Sequence, residues 1–175
     1  MNIPPDKKAF LDLIQENRKI IFKICNSYCA NRNERDDLAQ EIVYNLWKSF
    51  HNFNPDFKFS TWMYRIALNV AISFYRKENK SISRIPFSES LIVFEENAEA
   101  YIEAENNLNL LMKFISELKE IDKSIILLYL EDKSYKEIAE ITGITESNVA
   151  TKINRIKDKL KSNFSTVQNN YHGTK

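Results

Sequence analysis

The sequence predicts an all-α protein made of two small helical domains joined by a linker. Apolar residues recur at the i, i+3, i+4 spacing of amphipathic helices along most of the chain, and no segment alternates convincingly between apolar and polar residues as a half-buried strand does. Proline and glycine, which interrupt helices, fall between these segments rather than inside them. A length of 175 residues is enough for two such domains.

The first two helices are expected at about residues 6–29 and 34–50, where apolar side chains mark one side of each helix. A loop, residues 51–59, follows them. It contains Asn54-Pro55, and a proline disfavours helical backbone in the residue before it, so the second helix ends there.

A third helix is expected from Ser60, a favourable N-cap, with Phe59 and Tyr64 at the two positions of a hydrophobic staple. At about 100° per residue, two sides of this helix are largely apolar and one narrow stripe is polar. The stripe consists of Trp62, Arg65, Asn69, Ser73 and Arg76. Such a combination suits unpaired nucleotides, because every base offers a stacking face and every nucleotide a phosphate. The alternative is a core helix whose remaining polar face is merely solvated.

The loop before this helix is rich in aromatic residues, and its surroundings are basic. Phe53, Phe57 and Phe59 lie close to Lys58, and Lys77 continues the basic character at the far end of the helix. From Asp56 to Lys80 the net charge is +3. The loop and the third helix therefore form one candidate surface for single-stranded nucleic acid.

An acidic linker is expected at residues 81–105. This segment contains Pro86 and several serines, and from Arg84 to Glu105 it carries six glutamates and one arginine. Helices follow near 102–118, 123–131, 135–141 and 146–161, and the polar tail from Asn163 is expected to fray. The predicted organisation is a domain at 1–80, a flexible linker at 81–105, a second domain at 106–165 and a tail at 166–175.

The second domain contains the pattern of a helix-turn-helix. Ser134 and Glu137 form a capping box at the start of one helix, and Gly143 stands where the chain leaving that helix needs a left-handed residue. Thr145 can cap the next helix, and Val149 can pack back on the first. Two helices joined by a short turn with glycine describe this motif.

The second helix of the pair is then the recognition helix. Its outward side chains are small or polar, as groove contact requires, and its basic residues suit phosphates. The outward positions are Glu146, Ser147, Ala150, Thr151, Asn154 and Arg155, and the phosphate-directed charges are Lys152, Arg155, Lys157, Lys159 and Lys161. A packed helical hairpin with a solvated basic face is the alternative.

Composition excludes several classes of function. The net charge of +1 does not by itself indicate a nucleic-acid partner, so that inference depends on where the charges lie. No apolar run approaches membrane-spanning length, the N-terminus lacks a signal-peptide pattern, and a cytoplasmic location without membrane insertion is expected. There is no phosphate loop or catalytic constellation, so neither an enzyme nor a cofactor is expected. Cys25 and Cys29 could join His51 and His172 at a metal, but buried thiols are the favoured interpretation.

Three segments, in this order and at this spacing, resemble a known family. They are DDLAQEIVYNLW at 36–47, FKFSTWMYRIALNVAISFYRK at 57–77 and SYKEIAEITGITESNVATKINRIKDKLK at 134–161. The resemblance is to bacterial RNA polymerase sigma factors of the extracytoplasmic-function (ECF) group of the sigma-70 superfamily. It implies a sigma region 2-like bundle, a linker and a region 4-like helix-turn-helix. A conventional helix-turn-helix regulator, acting without being a polymerase subunit, is the alternative.

The resemblance also implies roles for individual residues. The positions matching Asp37, Gln40, Glu41 and Trp47 lie on or support the surface that docks on the β′ clamp of the polymerase. The −10 element is melted and its strand held by residues matching Phe53, Asn54, Phe57, Lys58, Phe59, Ser60, Trp62, Arg65, Asn69, Arg76 and Lys77. The −35 duplex is read by residues matching Thr145, Glu146, Ser147, Ala150, Thr151, Lys152, Asn154, Arg155 and Lys157.

The implied partners are core RNA polymerase, through its β′ clamp and β flap, promoter DNA and an anti-sigma factor. One departure from the family pattern is Leu118-Lys119, where a Leu-Pro pair is common. We expect this difference to change only the start of the helix that follows.

Overall fold

The computed structural model describes residues 6–29, 31–78 and 98–172, and the side chains of 6–29, 31–77 and 107–167. Within these ranges the secondary structure is helical, which confirms the all-α prediction. The elements are α1 (Lys7–Glu16), α2 (Arg18–Tyr28), α3 (Arg32–Ser49), a 3₁₀ turn (Phe50–Asn52), α4 (Phe59–Glu78), α5 (Ala98–Ser116), α6 (Glu120–Leu130), α7 (Tyr135–Thr142) and α8 (Glu146–His172).

The chain divides into two compact units, Met1–Ile85 and Pro86–Lys175, which contain α1–α4 and α5–α8. Residues 81–97 of the predicted linker lie outside the described residues, whereas 98–105 belong to α5. The finer boundaries of domains, linker and tail stay a prediction.

The core of the first unit is formed by α2, α3 and α4. Leu38, Ile42 and Leu46 of α3 are fully buried, and so are Met63 and Ala67 of α4. These side chains recur every four residues, which places them on one side of each helix. The opposite sides of α3 and α4 are left to face outward.

The prediction of one helix over 6–29 is wrong, because the helix breaks at Asn17. Asn17 has φ −106° and ψ 12°, and its Nδ2 donates a hydrogen bond of 2.9 Å to the Leu13 carbonyl. Asparagine side chains compete in this way for backbone groups and weaken helices.

Two predicted helix ends differ from the structure. Ser60 is not the N-cap of α4, because the helix begins at Phe59 and the Lys58 carbonyl accepts the first hydrogen bonds, from the Thr61 and Trp62 amides. The predicted end of the last helix near residue 161 is also wrong, since α8 continues to His172. Phe164 holds this extension by packing edge-on against Phe114 of α5, with 5.1 Å between ring centroids.

The α6 helix begins at Glu120, directly after the Leu118-Lys119 departure. Lys119 occupies the N-cap position with extended backbone and makes no side-chain cap bond. Glu120 and Asp122 instead place two carboxylates in the first turn, where the helix dipole favours negative charge.

Cys25 and Cys29 are both buried thiols, which agrees with the favoured interpretation of these residues. Burial raises the pKa of the Cys25 thiol from 9.0 to about 11, so the group stays protonated at neutral pH. Among the described residues, no group of three or more His, Cys, Asp or Glu side chains is arranged to hold a metal ion. Within the same residues, no helix is long and apolar enough to cross a membrane.

Candidate nucleic-acid and polymerase interfaces

Four aromatic rings meet where α3 ends and α4 begins. All six pairs among Phe50, Phe53, Phe59 and Trp62 have ring centroids between 5.2 and 6.5 Å apart. Separations and tilts of this kind are favourable for aromatic pairs. We call these four residues the aromatic cluster. It ties the 3₁₀ turn and the loop to the first turns of α4.

The aromatic cluster extends towards the N-terminus through Phe10. The Phe10 ring lies 5.2 Å from Phe50 and 5.0 Å from Trp47 between centroids. Phe50 therefore joins the two sets of rings. Phe50 lies at the end of the second predicted helix, and helical periodicity does not show which rings meet across a turn.

The aromatic residues predicted for the single strand differ in exposure. Phe59 is only 9% exposed, Phe53 and Trp62 are half-buried, and Phe57 is 68% exposed. Phe59 thus supports the cluster from inside, whereas Phe57 presents its ring outward. Trp62 packs against three of these rings and remains partly exposed.

A tight turn presents Phe57 and Lys58. Asn54 Oδ1 accepts a 3.0 Å hydrogen bond from the Asp56 amide, and the Asn54 carbonyl accepts one of 3.1 Å from the Phe57 amide. An asparagine that bonds the backbone two residues onward is a common device for closing turns. The Asn54 side chain therefore shapes the loop in this structure.

The polar stripe of α4 lies on the outer side of the helix, as predicted. Beyond half-buried Trp62, its members Arg65, Asn69, Ser73 and Arg76 are exposed, and so is Lys77. On the opposite side Met63, Ala67 and Ala71 are fully buried. The stripe is therefore a continuous outward surface about 20 Å long at a rise of roughly 1.5 Å per residue.

A second outward stripe runs along α3. Asp37, Gln40 and Glu41 are exposed, as expected of residues that dock on another protein, and Tyr44 lies one turn further and is 62% exposed. We call these four residues the α3 stripe. Sequence reasoning missed Tyr44, although its spacing from Gln40 and Glu41 is helical. Trp47 is half-buried against Phe10 and lies about one turn beyond Tyr44 on α3.

The helix-turn-helix of the second unit has the predicted local geometry. Ser134 and Glu137 form both bonds of the capping box, and Gly143 is left-handed, with φ 76°. Thr145 Oγ1 accepts a 3.3 Å bond from the Asn148 amide and so caps α8. A Cβ placed on Gly143 would meet no atom within 4 Å, so glycine is required there for its backbone angle rather than for space.

The outward side of α8 is polar and accessible. Ser147, Thr151, Asn154 and Arg155 are exposed together with Thr145 and Glu146, whereas Ala150 is half-buried. Thr151 Oγ1 donates a 3.0 Å bond to the Ser147 carbonyl, and this bond orients the hydroxyl. Val149 and Ile153 on the opposite side are fully buried.

Two lysines predicted to contact phosphates lie in contact with α6 in this structure. Lys152 Nζ lies 2.7 Å from Asp122 Oδ1 in an ion pair. Lys157 Nζ donates a 2.7 Å bond to the Tyr129 hydroxyl and lies 4.3 Å from the centroid of that ring. Chiefly because of this hydrogen bond, the pKa of Lys157 is raised above its ordinary 10.5. Asp122 and Tyr129 were not singled out by sequence reasoning.

Comparisons with known proteins agree with this two-part arrangement. The family model for Sigma-70 region 2 matches residues 13–81, and that for Sigma-70, region 4 matches 108–160. The chain is 28% identical over 168 residues to the ECF RNA polymerase sigma factor SigW of Bacillus subtilis, covering 89% of each chain. It is 30% identical over 131 residues to the RNA polymerase sigma factor YlaC of the same organism, covering 73% of this chain and 76% of that one.

Two solved structures share the fold. CnrH, in complex with the cytosolic domain of CnrY, has a TM-score of 0.66 at 20% identity and covers 93% of this chain and 91% of its own. The sigma factor RpoE, in complex with the anti-sigma factor NepR from Bartonella quintana, has a TM-score of 0.65 at 18% identity, covering 88% and 97%.

Proposed function

The chain belongs to the extracytoplasmic-function group of the sigma-70 family and is an RNA polymerase sigma factor, and from this premise we propose which surface performs each step of initiation. One observation carries the proposal. Both family regions match in order, one on each compact unit, and each unit presents a polar outward surface next to a buried core. No comparison favours a conventional regulator.

The α3 stripe is the proposed contact with core polymerase. Asp37, Gln40 and Glu41 offer acidic and amide groups, and Tyr44 adds an exposed ring in line with them. Aromatic residues with an apolar body and a polar tip are enriched at protein interfaces. Half-buried Trp47 packs against Phe10 and so helps to hold α3 in place. We assign the β′ clamp to this surface on the basis of the family resemblance.

The aromatic cluster and the polar stripe of α4 form the proposed −10 surface. Phe57 and the exposed part of Trp62 offer stacking surfaces, and Arg65, Arg76 and Lys77 offer charge. A surface that binds bases only after they leave the duplex makes strand separation more favourable without ATP, because unstacking a base costs only a few kcal/mol. Ser60, Phe53 and Asn54 shape this surface, and Phe59 supports it.

The outward side of α8 is the proposed −35 surface. Ser147, Thr151 and Asn154 carry short polar groups that can reach base edges in a major groove, and Arg155 can reach either a base or a phosphate. Thr145 and Glu146 stand at the N-terminal end of α8, the end that enters the groove in helix-turn-helix proteins. Ala150 leaves room for close approach.

In its proposed role the protein acts in the bacterial cytoplasm as a non-enzymatic subunit of RNA polymerase. It binds promoter DNA, core polymerase and a regulatory partner. Both structural neighbours described above were solved as complexes, one of them with a named anti-sigma factor. By analogy we propose an anti-sigma factor for this chain as well.

Transcription from a random promoter library, with purified core polymerase in the presence and absence of the protein, tests this function. We expect a subset of templates to be transcribed only when the protein is present, and these templates should share two elements near −35 and −10. Tight polymerase-independent binding to a duplex operator, with no stimulation of transcription, would contradict the proposal.

A further inference from the structure

The two lysines of α8 that bond to α6 lie on opposite flanks of the buried side of α8. That buried side is centred on Val149, Ile153, Ile156 and Leu160. At about 100° per residue, Lys152 lies roughly 70° from its centre in one direction and Lys157 roughly 70° in the other. The α6 helix, which carries both Asp122 and Tyr129, is therefore held to α8 on both flanks of the packed face.

Contacts on both flanks resist rotation of α8 about its own axis. Rotation in one sense lengthens the contact from Lys152 to Asp122, and rotation in the other lengthens the contact from Lys157 to Tyr129. Both contacts measure 2.7 Å, which is within the short range expected for charge-assisted bonds. Apolar packing alone resists such rotation less specifically, because it has no direction.

The rotation of α8 matters for reading bases. A rotation of about 20° moves an outward side chain, at a helix radius of about 5–6 Å, by about 2 Å. A hydrogen bond to a base edge tolerates only a few tenths of an ångström around 2.7–3.2 Å. A device that fixes the rotation therefore determines whether Thr151 and Asn154 meet their bases together.

We propose that Lys152 and Lys157 are positioning residues for −35 recognition, which hold α8 at one rotation on α6 rather than binding phosphate. The inference rests on the proposed −35 role of α8. Phosphate contact then falls to the exposed cations Arg155, Lys159 and Lys161. This revises the expectation from sequence, which treated all five basic residues alike.

Variants of the partner residues separate the two roles. Asp122→Asn and Tyr129→Phe remove the partner oxygens or their charge but leave both lysines in place. Lysines that serve as phosphate ligands would be released by these changes, and DNA binding would stay the same or tighten. Lysines that position α8 would lose their restraint, and binding would weaken although no DNA-facing charge has changed.

The assay uses the full chain with core polymerase and a promoter duplex selected from a random library by the wild-type holoenzyme. We expect each partner variant to weaken binding about two- to fivefold, because a restraint cannot shift binding by more than its own energy and exposed pairs are weak. The differences in affinity among −35 base variants should become smaller. The slope of the logarithm of the DNA-binding constant against the logarithm of salt concentration should stay unchanged. The matched control Lys159→Met should instead lower that slope by about one without changing discrimination.

Two further measurements keep the test decisive. In the first, the double variant Asp122→Lys with Lys152→Asp should recover the discrimination among −35 base variants that Lys152→Asp alone loses. In the second, a double-mutant cycle of Tyr129→Phe and Lys157→Met, measured by thermal unfolding, should give a non-zero coupling free energy. Unchanged or tighter binding in both partner variants, no recovery in the exchanged pair, or zero coupling would each overturn the proposal. If the wild-type protein fails to direct transcription, the proposed function is wrong. The coupling free energy between Tyr129 and Lys157 still tests whether this contact restrains α8 on α6.

Discussion

Replacing Trp62 with alanine tests the −10 surface most sharply. The Trp62 ring contacts Phe50, Phe53 and Phe59 at centroid distances of 6.3, 5.2 and 5.4 Å. Each aromatic pair contributes about 0.5–1.5 kcal/mol beyond area burial, so losing three pairs costs roughly 1.5–4.5 kcal/mol of folding stability in addition to the lost burial. A base stacked on the exposed part of the ring adds about 1–3 kcal/mol that appears only in the open complex.

The two effects can be measured separately. Thermal unfolding reports the loss of ring packing, and reactivity of unpaired promoter thymines to permanganate reports strand opening. Trp62→Ala should reduce open complex by about five- to 150-fold at saturating holoenzyme, while affinity for core polymerase stays intact. Trp62→Phe keeps a ring in the cluster and should recover most of both losses.

The interpretation of Trp62 fails under either of two outcomes. Equal losses of polymerase affinity and open complex would mean that the variant damages the whole first unit. If Trp62→Ala lowers the stability of the protein but leaves the amount of open complex unchanged, the ring serves packing alone.

Four other outcomes are expected. Tyr44→Ala should weaken binding to core polymerase in a competition assay more than the control Asp12→Lys on α1, and equal effects would remove the α3 stripe from the interface. Asn154→Ala should change −35 base preference in a library selection, and a uniform loss across sequences would assign it to phosphate. Gly143→Ala should lower stability in thermal unfolding by about 1–2 kcal/mol despite the free space around it, since its φ is 76°; an unchanged melting temperature would contradict this. Burial raises the pKa of Cys25 from 9.0 to about 11, so this thiol ionises at lower pH in the unfolded chain than in the folded one. The free energy of unfolding should therefore fall between those pH values by up to about 1.4 kcal/mol per pH unit relative to Cys25→Ala. Identical pH profiles of the two proteins would contradict the burial effect.

Local signals in the sequence were sufficient for the turn of the helix-turn-helix. The capping box at Ser134, the left-handed Gly143 and the cap at Thr145 each depend on residues within four positions of one another. The outward stripe of α4 was also predictable, because helical period alone places Arg65 and Asn69 opposite a buried side.

Other features are not visible in the hydrophobic periodicity of the sequence. The break at Asn17 interrupts an apolar period that continues on both sides, so hydrophobic periodicity alone does not reveal it. The contacts of Lys152 and Lys157 join residues 30 and 28 positions apart, which periodicity does not report. The extension of α8 was readable, because Phe164 continues the spacing of Leu160, but the polar composition of the tail obscured it.

The −10 surface on α4 and the −35 surface on α8 are proposed to have separate roles, and binding of holoenzyme to two DNA probes tests this separation directly. One probe is a full promoter duplex, and the other is a fork whose −10 non-template strand is already single. We predict that Trp62→Ala weakens binding to the fork much more than to a duplex held closed at low temperature, whereas Asn154→Ala weakens both by one common factor. If both variants reduced binding to both probes equally, the two surfaces would not have separate roles.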